Sequence, residues 1–228
     1  MANPDRSPAF LFDLDGTLID SVYQHVLAWR EALERGGRKL AVWQIHRCIG
    51  MSGGLLVNAV ARETGVPVEP GEAEQLQTFH LEAFVKYAPQ VRPLPGAAAL
   101  LDYMHRHNVP HAIATSGLRE SAMRSLAMLG AHEGLTVITR DQVRFAKPDP
   151  DLFLAAAAAL GIPIHDSVVI GDSVWDLLAA RRARALAVGL LSGGYGQEEL
   201  DRAGAYRVYR DPADLLAHLD EVGLRMGC

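Results

Sequence analysis

The chain has 228 residues, 49% of them hydrophobic and 21% charged, with a formal net charge of -5. That length and balance suit one large globular domain, or one with a modest insertion, and the negative sign disfavours a nucleic-acid partner, whose phosphates select basic surfaces. Two cysteines, Cys48 and Cys228, make neither a disulfide framework nor a zinc cluster, so a reducing, cytoplasmic setting is expected.

Residues 1–8 show no basic segment running into an apolar one, so no signal peptide is expected. Ala9 to Asp13 is a short apolar run ending in a carboxylate, the pattern of a strand buried on both faces of a parallel sheet. Similar runs follow at His111 to Thr115, Leu135 to Thr139, Ser167 to Gly171 and Leu186 to Leu191, with a weaker edge strand at Ala205 to Tyr209. Helical patterns lie between them, at Gly96 to His107, Arg119 to Leu129, Pro150 to Leu160 and Val174 to Arg184, and Asp211 to Val222 closes the chain. Asn108, Gly130 and Gly161 fall where helices should end. The longest apolar run, Leu152 to Leu160, is far short of the roughly 20 residues of a membrane span, so no membrane partner is expected. Alternation of strand and helix predicts an α/β fold, a doubly wound parallel sheet.

One stretch breaks the alternation. Residues 21–91 carry helical patterns only: Val22, Val26, Trp29 and Leu33 on one helix, a second from Leu55, and a third from Glu72 to Tyr87. A structureless loop of that length is uncommon inside a domain, so a helical insertion after the first strand is expected. The predicted organisation is a discontinuous α/β core, residues 1–20 and 92–228, with a helical unit of residues 21–91.

The chemistry-bearing pattern is Asp13-Leu-Asp15-Gly-Thr17. In an open parallel sheet, ligands bind beyond the carboxyl ends of the strands, where Asp13 would stand. Two acids at alternate positions repel each other, and a hard divalent cation such as Mg2+ offsets the repulsion. An Asp-Gly turn capping the next helix is the plainer alternative, but it leaves unexplained why a buried strand runs into two carboxylates. Later strands end in comparable stations: Thr115-Ser116-Gly117, Lys147-Pro-Asp-Pro150 and Gly171-Asp172-Ser-Val-Trp-Asp176. Each alone has an ordinary reading, as a helix cap, a solvated lysine, or a capping aspartate followed by an exposed first-turn acid.

Four such stations in this order resemble the haloacid dehalogenase superfamily, whose first motif is Asp-x-Asp-Gly-Thr. The resemblance covers nearly the whole chain. It implies that Asp13 attacks phosphorus to form an aspartyl-phosphate and that Asp15 acts as general acid, then general base. It further implies that Thr115, Ser116, Gly117 and Lys147 bind the phosphoryl group. Mg2+ would be held by Asp13, Asp172 and the main chain of Asp15, with Asp176 holding a metal-bound water. Dehalogenases of the superfamily lack an acid at the position of Asp15, which favours a phosphatase.

The insertion resembles the small helical cap of the phosphoglycolate phosphatase and β-phosphoglucomutase branch. His25, Trp29, Arg30, Arg47, Ser52 and Gly53 are its candidates for substrate contact, with core packing an equal reading for Trp29. A phosphate-gripping arginine of the mutases stands here as Gly53, their cap lysine as His80, and one of their paired acids as Gly171. The expected function is therefore Mg-dependent hydrolysis of a small phosphorylated metabolite. A mutase of the β-phosphoglucomutase type is the first alternative and a non-catalytic phosphate-dependent binding module the second, with the protein a monomer or homodimer.

Overall fold

The computed structural model describes residues 7–224. Residues 1–6 and Cys228, on which the amino-terminal reading and part of the cysteine reading rest, lie outside them. Along the chain come β1 (Ala9–Phe12), β2 (Ile19–Asp20), α1 (Val22–Arg35), α2 (Val42–His46), α3 (Gly53–Thr64), α4 (Glu72–Tyr87), β3 (Arg92–Pro93) and α5 (Ala97–Arg106). They are followed by β4 (His111–Ala114), α6 (Arg119–Met128), β5 (Thr136–Ile138), α7 (Asp151–Ala159), β6 (Ser167–Gly171), α8 (Val174–Ala183), β7 (Leu186–Leu190), α9 (Gln197–Ala203), β8 (Arg207–Tyr209) and α10 (Pro212–Ala217).

Six strands form one sheet in the order β5-β4-β1-β6-β7-β8. All its pairings are parallel; Phe10, for example, faces His111 on one side and Val168 on the other. Renumbered along the chain, the order reads 3-2-1-4-5-6, that of a Rossmann sheet. The winding reverses between β1 and β6, and that crevice is where ligands bind in such sheets. Every residue of β1, β4 and β6 is buried, which is why these strands read as unbroken apolar runs rather than as alternation. The alanines of α7 serve close packing: Ala156 and Ala157 are buried in one cluster with Leu11, Ala112, Ala114 and Val169. Asn108, Gly130 and Gly161 adopt positive φ just after α5, α6 and α7, ending those helices.

The chain divides into two compact units: the residues up to Asp20 together with those from Pro93 onward, and Ser21–Arg92. In the second unit α1 packs chiefly on α4. Its core gathers Val22, Val26, Trp29, Leu33, Ile45, Leu56, Val57, Val60 and Leu76, with Cys48 buried among them. Arg38, almost wholly buried, donates to both Glu72 carboxylate oxygens and to the carbonyls of Val66 and Pro67, bracing the loop between α3 and α4.

Several elements differ from the sequence reading. The edge strand begins at Arg207, and the closing helix breaks at His218 into α10 and a 3-10 turn, Leu219–Val222. Two short helices, α2 and α9, have no counterpart in that reading; they bury one and two residues respectively, too few to show a period. No helix among the described residues is long and apolar enough to cross a membrane.

Candidate active site

Asp13 follows β1 directly, and its backbone N–H still donates to Ile170 O, 2.9 Å away, as though the strand continued. Its carboxylate therefore leaves the sheet at the crevice between β1 and β6. The chain then turns sharply: Gly16 takes φ of 87°, and Leu14 O accepts from the N–H groups of Leu18 and Ile19. This turn brings Thr17, fully buried, under the sheet end, where its hydroxyl donates to Asp172 Oδ1 at 2.8 Å.

Asp172 follows β6 as Asp13 follows β1. Ser173 caps α8, accepting at Oγ from the Asp176 N–H, while Asp176 Oδ2 accepts from Ser173 N at 3.1 Å and Ser173 Oγ at 2.5 Å. Capping thus pins Asp176, which is fully buried rather than an exposed first-turn acid. Glycine at 171 is required sterically, since a Cβ there would come within 2.2 Å of Asp176 Cβ. Gly193, beyond β7, is under the same constraint from Asp172 Oδ2, at 1.8 Å.

Lys147 reaches this cluster from the segment before α7. Its ammonium, 1% exposed, donates to Asp13 Oδ1 and lies 2.8 Å from Asp176 Oδ1. The one ammonium is thus shared between two buried carboxylates. Donor oxygens of Asp13, Asp172 and Asp176 all lie within 4.8 Å of one another.

One ammonium among three buried carboxylates leaves an unfavourable charge. Burial pushes the Asp13 carboxyl up to about 7, with Asp176 and Asp15 adding to the rise and Lys147 opposing it. Asp172 is raised well above the carboxylate range by burial, and then by repulsion from Asp176 and Asp13. Burial also works against the Lys147 ammonium, but Asp13 and Asp176 outweigh it and hold the group charged. A divalent cation fits this constellation. The donors are hard carboxylate oxygens of three buried aspartates, and when ionised they carry more charge than Lys147 offsets.

Asp15 is half-buried, and its Oδ2 lies 3.8 Å from where a Cβ on Gly117 would stand. Thr115, at the end of β4, accepts the Gly117 N–H at 3.0 Å; Ser116 is half-buried beside it. The following helix opens only at Arg119, so Ser116 and Gly117 lie in the loop before it. In the helical unit, Trp29 is buried and stacks on His80 with ring centroids 4.4 Å apart. His25 stacks on Phe84, and its Nδ1 lies 3.1 Å from His80 Nε2. Arg47 ends α2, Ser52 precedes α3 without capping it through its side chain, and Gly53 faces Gln77, whose Cγ a Cβ would meet at 2.8 Å. Arg30 is exposed and pairs with Glu34.

Sequence reasoning assigns no role to Thr17, Ser173, Ser192 or Gly193. Ser192 donates to Gly16 O at 2.6 Å and so ties the β7 loop to the Asp13 turn. Thr17 stands inside the first motif, and the glycine pair after β7 is the one available sign of a close approach.

A Rossmann-ordered sheet whose switch point carries clustered acids and a buried lysine defines a class, the phosphoryl-transfer hydrolases. The haloacid dehalogenase-like hydrolase family model matches residues 8–184, and the chain belongs to that family as a phosphohydrolase. It is 34% identical over 182 residues to a validoxylamine A 7'-phosphate phosphatase of Streptomyces hygroscopicus subsp. limoneus, covering 79% of this chain and 84% of that protein. A β-phosphoglucomutase of Bacillus subtilis is 28% identical over 218 residues, 92% of each chain. Among solved structures, a hydrolase from Pseudomonas syringae has a TM-score of 0.93 and 52% identity, covering 96% of this chain and all of that one. Phosphoglycolate phosphatases also stand among the relatives, placing the chain in the phosphatase and mutase branch of the family.

Proposed function

We propose that this protein is a magnesium-dependent phosphatase that hydrolyses a small phosphate monoester through an aspartyl-phosphate on Asp13. The observation carrying this reading is the meeting of Asp13, Asp172, Asp176 and Lys147 at the switch point of the sheet. Burial raises Asp13 to about 7 and Lys147 opposes that rise; with a bound cation beside it the carboxylate would be ionised and could serve as nucleophile without a separate base. Asp15, two residues on, donates a proton to the departing ester oxygen and then takes one from the water that cleaves the acyl-phosphate. Thr115 Oγ accepts from Gly117 N–H, which leaves its own O–H to donate to a phosphoryl oxygen, with Ser116 and Gly117 lining the same subsite. Mg2+, held by Asp13, Asp172 and the Asp15 main chain with Asp176 behind them, would neutralise the carboxylates and the phosphoryl charge. Substrate selection is assigned to the helical unit acting as a cap, with His25, Trp29, Arg47, Ser52 and Gly53 as the residues to vary.

The test is phosphate release from p-nitrophenyl phosphate and a panel of small esters, with and without Mg2+. Wild type should turn over, and Asp13→Asn should lose at least about a thousandfold, as loss of a nucleophile does. No difference between the two proteins on any ester would remove the phosphatase reading. The mutase reading is kept in view by the 28% identity to a β-phosphoglucomutase. Formation of glucose 6-phosphate from β-glucose 1-phosphate and a bisphosphate primer, faster than hydrolysis, would favour it.

A further inference from the structure

At the amino end of the large sheet, the end opposite Asp13, three histidines from separate elements meet. His111 opens β4, His132 lies in the loop between α6 and β5, and His105 sits in the last turn of α5. His111 opens β4 and Thr115 directly follows it, so at about 3.3 Å per residue the histidines stand roughly 13 Å from the phosphoryl subsite.

Hydrogen bonds fix the tautomers of two of these rings. His111 Nδ1 lies 2.8 Å from Val109 O, and His132 Nδ1 lies 3.0 Å from Glu133 O. A carbonyl oxygen can only accept, so each Nδ1 carries the hydrogen. In the neutral rings each Nε2 is then a bare lone pair, yet the two Nε2 atoms face each other at 3.1 Å. Two lone pairs at that distance repel unless something electrophilic lies between them. The rings are turned 68° from one another, and His105 stacks on His132 with centroids 4.0 Å apart, restricting its swing. His111 is buried and His132 half-buried, so the pair is fixed on one side and reachable on the other.

We propose that His111 Nε2 and His132 Nε2 form a two-histidine binding site for a borderline transition-metal ion, of the Zn2+, Ni2+ or Cu2+ class. With metal–nitrogen bonds of about 2.0–2.1 Å, nitrogens at this separation subtend roughly 100° at the ion, within the range these metals accept. Donation of each Nδ1–H to a backbone carbonyl is the outer-shell arrangement that orients metal-ligating imidazoles and raises their basicity. Water completes the coordination on the half-exposed side. The site is chemically separate from the acid cluster: imidazole nitrogens select these metals, whereas the carboxylates of Asp13, Asp172 and Asp176 suit Mg2+.

The experiment uses the full chain with Mg2+ saturating and Cu2+ or Zn2+ added at or below one equivalent. Cu2+ electron paramagnetic resonance should show hyperfine coupling to two equivalent nitrogens. Long-range nitrogen–proton NMR should show Zn2+ shifting the Nε2 resonances of His111 and His132 while Nδ1 stays protonated. His132→Gln, in a half-exposed loop, should lower Zn2+ affinity at least about tenfold, since even outer-shell losses cost that much. His105→Gln should leave the nitrogen coupling in place. Nitrogen-free Cu2+ spectra, unshifted Nε2 signals, or a proton held between the two rings that Zn2+ does not displace would each overturn the proposal. The spectra are read on wild type, so a poorly folding His111 variant would not obscure the answer.

Discussion

In the larger unit, ionisable side chains converge from the ends of β1 and β6 and from the approach to α7. In the helical unit, His25 and His80 meet from within two long helices. The first group is crowded with like charge: burial and mutual repulsion raise Asp13 and Asp172, and a single lysine holds the cluster together. The second is a stack of rings, with His25 on Phe84 and Trp29 on His80. A strand end concentrates charge because the sheet delivers each residue to one crevice, and the resulting imbalance is what a cation or a phosphoryl group relieves. A pair of helices instead buries apolar surface and tolerates a few polar atoms that find partners. Changes in the two places should therefore read out differently.

Among changes that test this comparison, Lys147→Met gives the largest expected effect. It removes the buried cation and leaves Asp13 and Asp176 facing each other, and breaking a buried pair in this way costs about 3–5 kcal/mol. Activity should fall by about a hundredfold or more, as when a preorganised charge is removed from an active site. Denaturant unfolding and phosphate release on one preparation measure both; near-wild-type values for both would show that the cluster does not depend on Lys147. Trp29→Ala tests the other side of the comparison. Loss of the buried indole should cost about 3 kcal/mol or more in unfolding experiments. The gain in melting temperature on adding Mg2+ should persist, because that gain belongs to the acid cluster. If the Mg2+ effect vanished along with the indole, the two regions would not be separable as described.

The regular elements are most legible in the sequence where they are long or fully buried. Ser167–Gly171 and Glu72–Tyr87 have the bounds that their patterns predict, the first from an unbroken apolar run and the second from a helical period over sixteen residues. Helices α2 and α9 are poorly legible, because their few buried positions carry no measurable period. Within the site, Asp13, Asp172 and Lys147 can be picked out because each acid or base interrupts an apolar strand or a proline-bounded turn. Thr17 cannot, since its partner Asp172 lies 155 positions away and no local pattern marks that contact. The facing pair His111 and His132, 21 positions apart, is hidden for the same reason. Composition alone leaves every histidine equivalent until backbone carbonyls fix the tautomers.

A smaller effect follows from pH in the metal-free protein. Asp13 titrates near 3.8 when unfolded and about 7 when folded, so between those values the native state binds the additional proton. The contribution of Asp13 to stability should then decline as pH rises from about 4 to about 7 and level off above that, because the unfolded chain ionises first. Asp172 adds to the decline in the same direction. Lys147, raised above its ordinary value, stays charged throughout the window and does not reverse the sign. Melting temperatures across that range in chelator should show the slope, and Mg2+ should raise the melting temperature more at pH 8 than at pH 5. A flat metal-free profile would mean that the carboxylates are not desolvated as their burial implies.

The smallest expected effect is the most specific. Thr17→Val preserves shape but removes the hydroxyl that donates to Asp172 Oδ1 at 2.8 Å. That hydrogen bond favours the ionised carboxylate, so its loss raises the Asp172 pKa further and makes the group a weaker partner for a cation. Apparent Mg2+ affinity should fall about tenfold, the lower end of what outer-shell changes cost. Turnover at saturating Mg2+ should remain within a few-fold of wild type, because Thr17 touches Asp172 rather than the reacting phosphoryl group. The ring stack of the helical unit contains nothing equivalent, so a matched change such as His25→Gln should leave the Mg2+ titration curve where it was. If Thr17→Val lowered turnover at every Mg2+ concentration without moving the titration midpoint, the hydroxyl would be acting on substrate and not through the acid cluster. A midpoint shift confined to Thr17→Val would instead tie the charge imbalance at the switch point directly to cation binding.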